Sequence, residues 1–114
     1  MKLSFAAGAR HKFDSTKIIS IIADINYSYV YSTNGQCHLH SRTLKWFMDR
    51  CPALVRIHKH YVINTDYVKS YCIKRGRQPS GYVIMNNDLR LTISTRNLGQ
   101  IGELLKQNTS LESL

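Results

Sequence analysis

The feature that most constrains the fold is a strict alternation of residue types from Asn26 to Ser32, followed closely by Asn34-Gly35. Alternate side chains of a β-strand point to opposite faces, so the three tyrosines of this segment share one face and Val30 lies on the other with the serines. Asparagine and glycine both tolerate the positive φ values that a two-residue hairpin turn requires. Gln36–His40 then follows as the returning strand. The sequence therefore predicts a β-hairpin in a chain in which strands dominate.

Further short runs of β-branched and apolar residues predict more strands, because each is too short for a helix and is bounded by polar or turn-forming residues. Arg75–Ser80 is predicted to be a polar loop, and Asn86–Asp88 a tight turn. The additional predicted strands are Lys17–Ile22, Leu54–Ile57, Tyr61–Asn64, Val68–Ile73, Gly81–Met85 and Leu89–Ile93.

Two segments show helical periodicity instead. The first has apolar residues at i, i+3, i+4 and i+7, with Ser41 or Thr43 as a cap and Pro52 preventing continuation. The second lies near the end of the chain and is weakened by Gly99 and Gly102. The apolar positions are Leu44, Phe47, Met48 and Cys51 in the first segment, and Leu98, Ile101, Leu104 and Leu105 in the second.

The length of 114 residues fits one domain. We predict a lead-in at 1–16, a folded domain at 17–107 and a frayed tail at 108–114. No apolar run is long enough to cross a bilayer and the start is too weakly apolar for a signal peptide, so we expect a soluble, cytoplasmic protein with no membrane partner. The three cysteines show no CxxC spacing, which gives no support to structural zinc or to a disulfide framework.

The charge is strongly positive and unevenly distributed. Sixteen Lys and Arg oppose seven Asp and Glu, which gives a net charge of +9 and a pI near 9.8. The segment from Gln36 to Arg77 alone holds nine basic residues against Asp49 and Asp66, a net charge of +7. This pattern is typical of a nucleic-acid binder, with an inert basic surface or an anionic membrane surface as the alternatives.

Signals for catalysis are weak. His38 and His40, and likewise His58 and His60, would share a strand face, as histidine ligands do in some β-barrel metalloenzymes. Such sites normally add a carboxylate, and no Glu occurs before Glu103. No glycine-rich phosphate loop or Cys-His nucleophile arrangement can be identified. We therefore predict no catalytic residues, no metal and no cofactor, with a small His-metal enzyme as an alternative of a different class.

The most informative stretch is Arg56–Val68, in which the cationic cluster Arg56-Ile-His-Lys-His60 leads into an apolar strand and ends at a turn-forming Asn-Thr-Asp. A cationic turn between strands can present several hydrogen-bond donors to phosphates and base edges at once. The stretch resembles the Arg-Ile-His-(Arg/Lys)-Ser-aromatic-(Leu/Val)-(Ile/Val)-Asn segment of LytTR-type DNA-binding domains, which are output modules of bacterial response regulators.

Three further similarities to that family occur in the expected order, from about Lys17 to Lys106. Asn26-Tyr-Ser-Tyr-Val-Tyr31 is similar to its Asn-Tyr-x-x-x-Tyr strand before a turn glycine. Thr43-Leu44 matches the start of its helix, and Ser94-Thr-Arg96 its Ser-x-Arg. Family members often carry paired arginines where this chain has Thr95 before Arg96. The family's usual receiver domain has no counterpart in the roughly sixteen residues before the first predicted strand, as expected of an excised domain or a stand-alone regulator.

The resemblance implies an elongated, mostly-β fold of about ten strands in small antiparallel sheets with one or two short helices. It also implies sequence-specific binding of double-stranded DNA by a bacterial transcription regulator of two-component signalling, with loops inserted into successive major grooves. The implied target is DNA with direct repeats, to which a second copy of the chain also binds. The open alternative is an RNA- or single-strand-binding β domain, in which Tyr27, Tyr29 and Tyr31 would stack on bases.

Individual site residues have competing structural roles. Tyr27 could pack on the sheet as a cross-strand aromatic, and His58 could shape the turn before the predicted strand Tyr61–Asn64 by hydrogen bonding. Asn64 is expected to organise its own turn through side-chain-to-backbone bonds. Lys59 and Arg96 have no packing role in an apolar surface, so contact with DNA is the favoured interpretation for both. Carried over by position, the resemblance implies DNA contacts at Tyr27, Lys59 and Arg96. With the other members of the cationic cluster, the complete set of candidate DNA-binding residues is Tyr27, Arg56, His58, Lys59, His60 and Arg96.

Overall fold

The computed structural model describes residues 2–5 and 15–107 of the chain and contains nine strands and two α-helices in that part. Three short 3-10 turns lie at Ser15–Lys17, Thr65–Tyr67 and Thr95–Asn97. The strands are β1 (Lys2–Phe5), β2 (Ile18–Asp24), β3 (Tyr27–Ser32), β4 (Gln36–His40), β5 (Leu54–His58), β6 (Tyr61–Asn64), β7 (Val68–Lys74), β8 (Ser80–Met85) and β9 (Arg90–Ile93), and the helices are α1 (Leu44–Arg50) and α2 (Leu98–Gln107).

Two sheets account for all nine strands. One has six strands in the order β1-β4-β3-β2-β6-β5, and the other has three in the order β7-β8-β9. The described fold extends 45 × 26 × 24 Å, so it is elongated. The mostly-β, elongated fold with two short helices is therefore confirmed, with nine strands in the described part where about ten were expected.

The alternating segment forms β3, and the β3–β4 hairpin turns at Gly35, whose φ is 79°. Ser28 and Val30 are buried at 1% and 3% exposure, whereas the tyrosines on the opposite face are only half-buried or exposed. The inward face of this strand is thus the serine and valine face. The serine hydroxyl is satisfied there, because Ser28 Oγ donates to the carbonyl of Arg42 at 2.6 Å.

Each face of the six-stranded sheet is covered by a different layer. Helix α1 covers one face, where Phe47 is completely buried with Ile21, Val30 and Val62. The three-stranded sheet and α2 cover part of the other face. They bury a second cluster that includes Ile57 and Ile63 of the six-stranded sheet.

The helix ends follow local sequence signals. Thr43 Oγ1 accepts from the backbone N–H of Trp46 at 3.1 Å, so Thr43 is the cap, and α1 ends at Arg50, two residues before Pro52. Helix α2 forms despite its two glycines. Gly102 is buried, and a Cβ there would lie 3.0 Å from the Ile73 side chain, so this glycine permits close packing of α2 on β7.

Two features of the fold were not predicted. The lead-in 1–16 contains β1, which pairs with β4 in parallel, although only antiparallel sheets were expected. Its four residues are too few to show a periodicity. The chain also turns between β2 and β3 through just two residues, Ile25 and Asn26, so β2 extends to Asp24. The predicted tail 108–114 lies outside the described residues, and the predicted domain boundaries stay a prediction.

Candidate nucleic-acid interface

Three connections meet at one edge of the fold: the β2–β3 turn, the β5–β6 turn and the segment between β9 and α2. The β2 and β6 ends are joined by the Ala23 N–H, which donates to the carbonyl of His60 at 2.8 Å. The two sheets are joined by the Ser94 N–H, which donates to the carbonyl of Ile57 at 2.8 Å. These two backbone bonds fix the three connections relative to one another.

The β5–β6 turn is held in shape by Arg56. Its Nε donates to the carbonyl of His58 at 3.3 Å, and its Nη2 donates to the carbonyl of Lys59 at 2.7 Å. A guanidinium that binds two successive carbonyls restricts the turn and presents the Lys59 side chain outward, where it is exposed. Arg56 is therefore a positioning residue for the turn, in addition to contributing positive charge at the surface.

His58 shapes the same turn from inside. Its Nδ1 accepts from the backbone N–H of His60 at 3.1 Å, and its ring stacks on Tyr61 with centroids 4.6 Å apart. An accepting Nδ1 requires the neutral ring with its proton on Nε2. Burial lowers the pKa of His58 from its ordinary value, and the charges of His60 and Lys59 lower it further. The neutral form that the turn requires is therefore also the form that the surroundings favour.

A cleft of about 520 Å³ opens beside this turn and contains no carboxylate among its lining residues. On one wall lie the residues of β5 and its turn, and on the other lies the 3-10 turn that carries the exposed Arg96. The cleft is lined by Arg56, His58, Lys59, Ser94, Arg96 and Asn97.

The structure brings four of the six candidate residues together and leaves two apart. Arg56, His58, Lys59 and Arg96 line the cleft. His60 instead lines a second, open groove of about 470 Å³ together with residues of the β2–β3 turn. Tyr27, at the start of β3, is 41% exposed and lines neither cavity.

Ser94 and Asn97 were missed as lining residues, although they flank Arg96 in the sequence. The signal available was the Ser-x-Arg similarity itself, since a residue beside an interface arginine on a short turn is a candidate for the same surface. Asn64 behaves as predicted, because its Oδ1 accepts from the N–H of Asp66 at 3.0 Å.

The tyrosine face is less open than the stacking alternative requires. Tyr29 and Tyr31 are half-buried, and burial raises the pKa of Tyr31, which is hydrogen-bonded to Cys37. Together with Tyr61 they line the second groove rather than a flat, exposed platform.

The paired histidines have roles in packing and hydrogen bonding. His38 Nε2 lies 3.1 Å from Gln36 Oε1, and the ring of the buried His40 contacts Phe47 edge-on, with centroids 5.3 Å apart. Within residues 2–5 and 15–107, no three His, Cys, Asp or Glu side chains are grouped as a metal site would need. Nor does any helix in the described ranges have the length and apolarity to cross a membrane.

The fold and the site together define a mostly-β domain with a cationic, acid-free cleft at one edge. Residues 8–106 match the family model of the LytTr DNA-binding domain. The match covers most of the chain, so the chain belongs to the LytTr DNA-binding domain family, which is a family of DNA-binding domains and not of enzymes. The resemblance noted in the sequence is thereby confirmed.

A solved structure agrees with this assignment at the level of the fold. It is described as the LytTr DNA-binding domain of a methyl-accepting/DNA response regulator from Bacillus cereus. It is similar to this chain with a TM-score of 0.65 and 18% identity, over 82% of this chain and 84% of that one. A search of the curated proteins found no match.

The pH dependence of stability should depend on His58. The pKa of His58 in the folded state lies below its ordinary value of about 6.5. The contribution of neutral His58 to the free energy of unfolding is therefore complete above about pH 6.5 and is lost as the pH falls through the lowered pKa. We expect His58→Asn, whose amide oxygen can replace Nδ1 as acceptor, to lose less stability than the native chain between about pH 7.5 and about pH 5. Thermal unfolding of both proteins at each pH measures the loss of stability. Equal losses in the two proteins would show that protonation of His58 does not affect the stability of the fold.

Proposed function

We propose that this chain binds double-stranded DNA sequence-specifically as the DNA-binding domain of a bacterial transcription regulator. The observation that carries the proposal is the position of Lys59 and Arg96, which lie across one acid-free cleft on two turns held together by a backbone hydrogen bond. The B. cereus domain belongs to a response regulator by its description, which supports a regulatory role and a link to two-component signalling.

The shape of this edge suits insertion of loops into DNA. The major groove of B-DNA is roughly 12 Å wide and admits an α-helix or a two-stranded ribbon, so a two-residue turn between strands also fits. Helix α1 is seven residues long and covers the opposite face of the sheet, so it is poorly placed to be a recognition helix. We therefore propose that the β5–β6 turn and the 3-10 turn bearing Arg96 enter the groove.

Lys59 and Arg96 take different roles in this proposal. The lysine ammonium is a mobile point charge on a fixed turn and suits a phosphate or a guanine acceptor. The arginine can donate two parallel hydrogen bonds to guanine O6 and N7, a geometry that lysine cannot copy. Arg56 and His58 hold the β5–β6 turn in shape. Replacement of either would reduce the affinity for DNA because Lys59 would no longer be held in position.

The remaining features of the proposal follow from the family. The chain acts in the cytoplasm without catalytic activity, metal or cofactor, and recognises direct repeats with a second copy bound to the same DNA. No long amphipathic helix occurs in the described ranges, so pairing is expected on DNA and not in free solution. RNA or single-stranded binding is the alternative outcome in a competition between duplex and single strands.

The test of base reading is a pair of variants, Arg96→Ala and Arg75→Ala. Removal of a bidentate contact to guanine costs about 1 to 3 kcal/mol at the cognate site, so Arg96→Ala should lose roughly 5- to 150-fold in cognate affinity and much less on a scrambled duplex. Arg75 is also an exposed arginine, lies on the β7–β8 loop outside the cleft lined by Arg96, and is the matched control.

We expect Arg75→Ala to weaken both duplexes alike or neither. Fluorescence anisotropy titrations with the cognate and scrambled duplexes give the specificity ratio directly. If Arg96→Ala weakens the two duplexes by the same factor, Arg96 contacts only the DNA backbone and its base-reading role is wrong.

A further inference from the structure

The β2–β3 turn exposes apolar surface that the rest of the described chain avoids. Ile25 is 96% exposed and Tyr27 is 41% exposed, and within the described residues 16–107 they are the large hydrophobic residues that lie exposed. Single exposed apolar residues are common on protein surfaces. Here both lie on one hairpin, two positions apart, beside the cationic β5–β6 turn.

Ile25 also has a backbone conformation that isoleucine avoids. Its φ is 48°, in the left-handed region that glycine and asparagine adopt readily and that a β-branched residue rarely does. Asn26, a residue better suited to this conformation, follows directly, yet the positive φ falls on the isoleucine. Exposure and backbone strain are both unfavourable for the free protein, and strain of this kind clusters at functional sites.

The position of Ile25 links it to the proposed interface. Ile25 and His60 line the same groove, and the Ala23–His60 backbone bond fixes the turn beside the β5–β6 turn. The exposed carboxylate of Asp24 lies next to Ile25. A turn tip with an apolar side chain and a carboxylate is repelled by phosphates and makes a poor backbone contact, whereas base edges can accept both groups.

We propose that Ile25 reads thymine by packing against its 5-methyl group in the major groove. This inference rests on the proposed DNA-binding function and assigns Ile25 as a specificity-determining residue within it. The thymine methyl is the apolar group that the base pairs present in that groove. Burial of the isoleucine side chain against it would remove the exposed apolar surface, and DNA contact would account for retaining the strained residue.

The test uses a duplex selected from a random pool with the full chain. Each thymine of that duplex is replaced in turn by deoxyuridine, which lacks only the methyl group. Burial of one methyl-sized group corresponds to roughly a fourfold change in affinity, so the native chain should lose about that factor at a particular thymine. Ile25→Val retains a branched apolar side chain and should keep the discrimination. Ile25→Asn should bind the thymine and deoxyuridine duplexes equally at that position.

The variants remain informative about folding as well. Asparagine tolerates the left-handed conformation, so Ile25→Asn should raise the melting temperature by roughly 3 to 6 °C rather than prevent folding. If no thymine shows sensitivity to deoxyuridine, or if Ile25→Asn discriminates as the native chain does, the assignment of Ile25 is wrong while DNA binding stands. Failure of the selection to enrich any duplex would instead contradict the proposed function.

Discussion

Affinity for duplex DNA should fall about 10³- to 10⁵-fold when the salt concentration is raised from roughly 50 to roughly 200 mM. The expectation follows from the net charge of +7 between Gln36 and Arg77 and from the acid-free cleft that contains Lys59 and Arg96. A protein that neutralises about six to ten phosphates releases as many counterions, and the logarithm of its affinity falls linearly with the logarithm of salt concentration.

Titration of one duplex at several salt concentrations gives the slope of this line. Lys59→Gln should reduce the slope by about one unit, since one phosphate contact is lost. Lys45→Gln is the matched control, because Lys45 pairs with Asp49 at 2.9 Å on helix α1, away from the cleft. A flat response to salt would contradict an electrostatic DNA interface on this chain.

Replacement of Phe47 by alanine should destabilise the fold by about 3 to 5 kcal/mol. The ring is completely buried and contacts Trp46 and His40 edge-on, with centroids 5.0 and 5.3 Å apart. Its removal leaves a cavity between α1 and the six-stranded sheet, and the packed neighbours can fill such a cavity only in part.

Urea denaturation measures the change, with Phe47→Leu as the control that keeps most of the volume and should cost less. The cleft lies at the junction with the other sheet, so the folded fraction of Phe47→Ala should bind DNA with nearly native affinity. A loss below about 1 kcal/mol would show that α1 contributes little to the core.

The parts of the fold that were predicted from sequence are those with a local signal. The alternation before Gly35 specified β3 and its hairpin, and the apolar spacing from Leu44 to Cys51 specified α1. Asn64 showed the turn chemistry expected of its short amide side chain. In each case neighbouring residues determine the conformation, so no tertiary information is needed.

The parts that were missed depend on tertiary contacts. Strand β1 has four residues and is defined by its parallel pairing with β4, which periodicity cannot reveal. The turn at Ile25 was not predicted because isoleucine is disfavoured at positive φ. At the site, the family resemblance predicted DNA contacts by Lys59 and Arg96. That both residues line one cleft depends on the backbone hydrogen bond from Ser94 to Ile57, which joins segments distant in sequence.

Sequence-specific recognition of duplex DNA by this chain can be measured by comparing its affinities for three probes of equal length. They are the duplex selected from a random pool, a scrambled duplex of the same composition, and one single strand of the selected duplex. At physiological salt we expect the selected duplex to bind at least roughly 10³-fold more tightly than the scrambled one, and the single strand to bind no better than the scrambled duplex. Equal affinities for the two duplexes, or tighter binding of the single strand, would show that the chain does not recognise duplex DNA by its sequence.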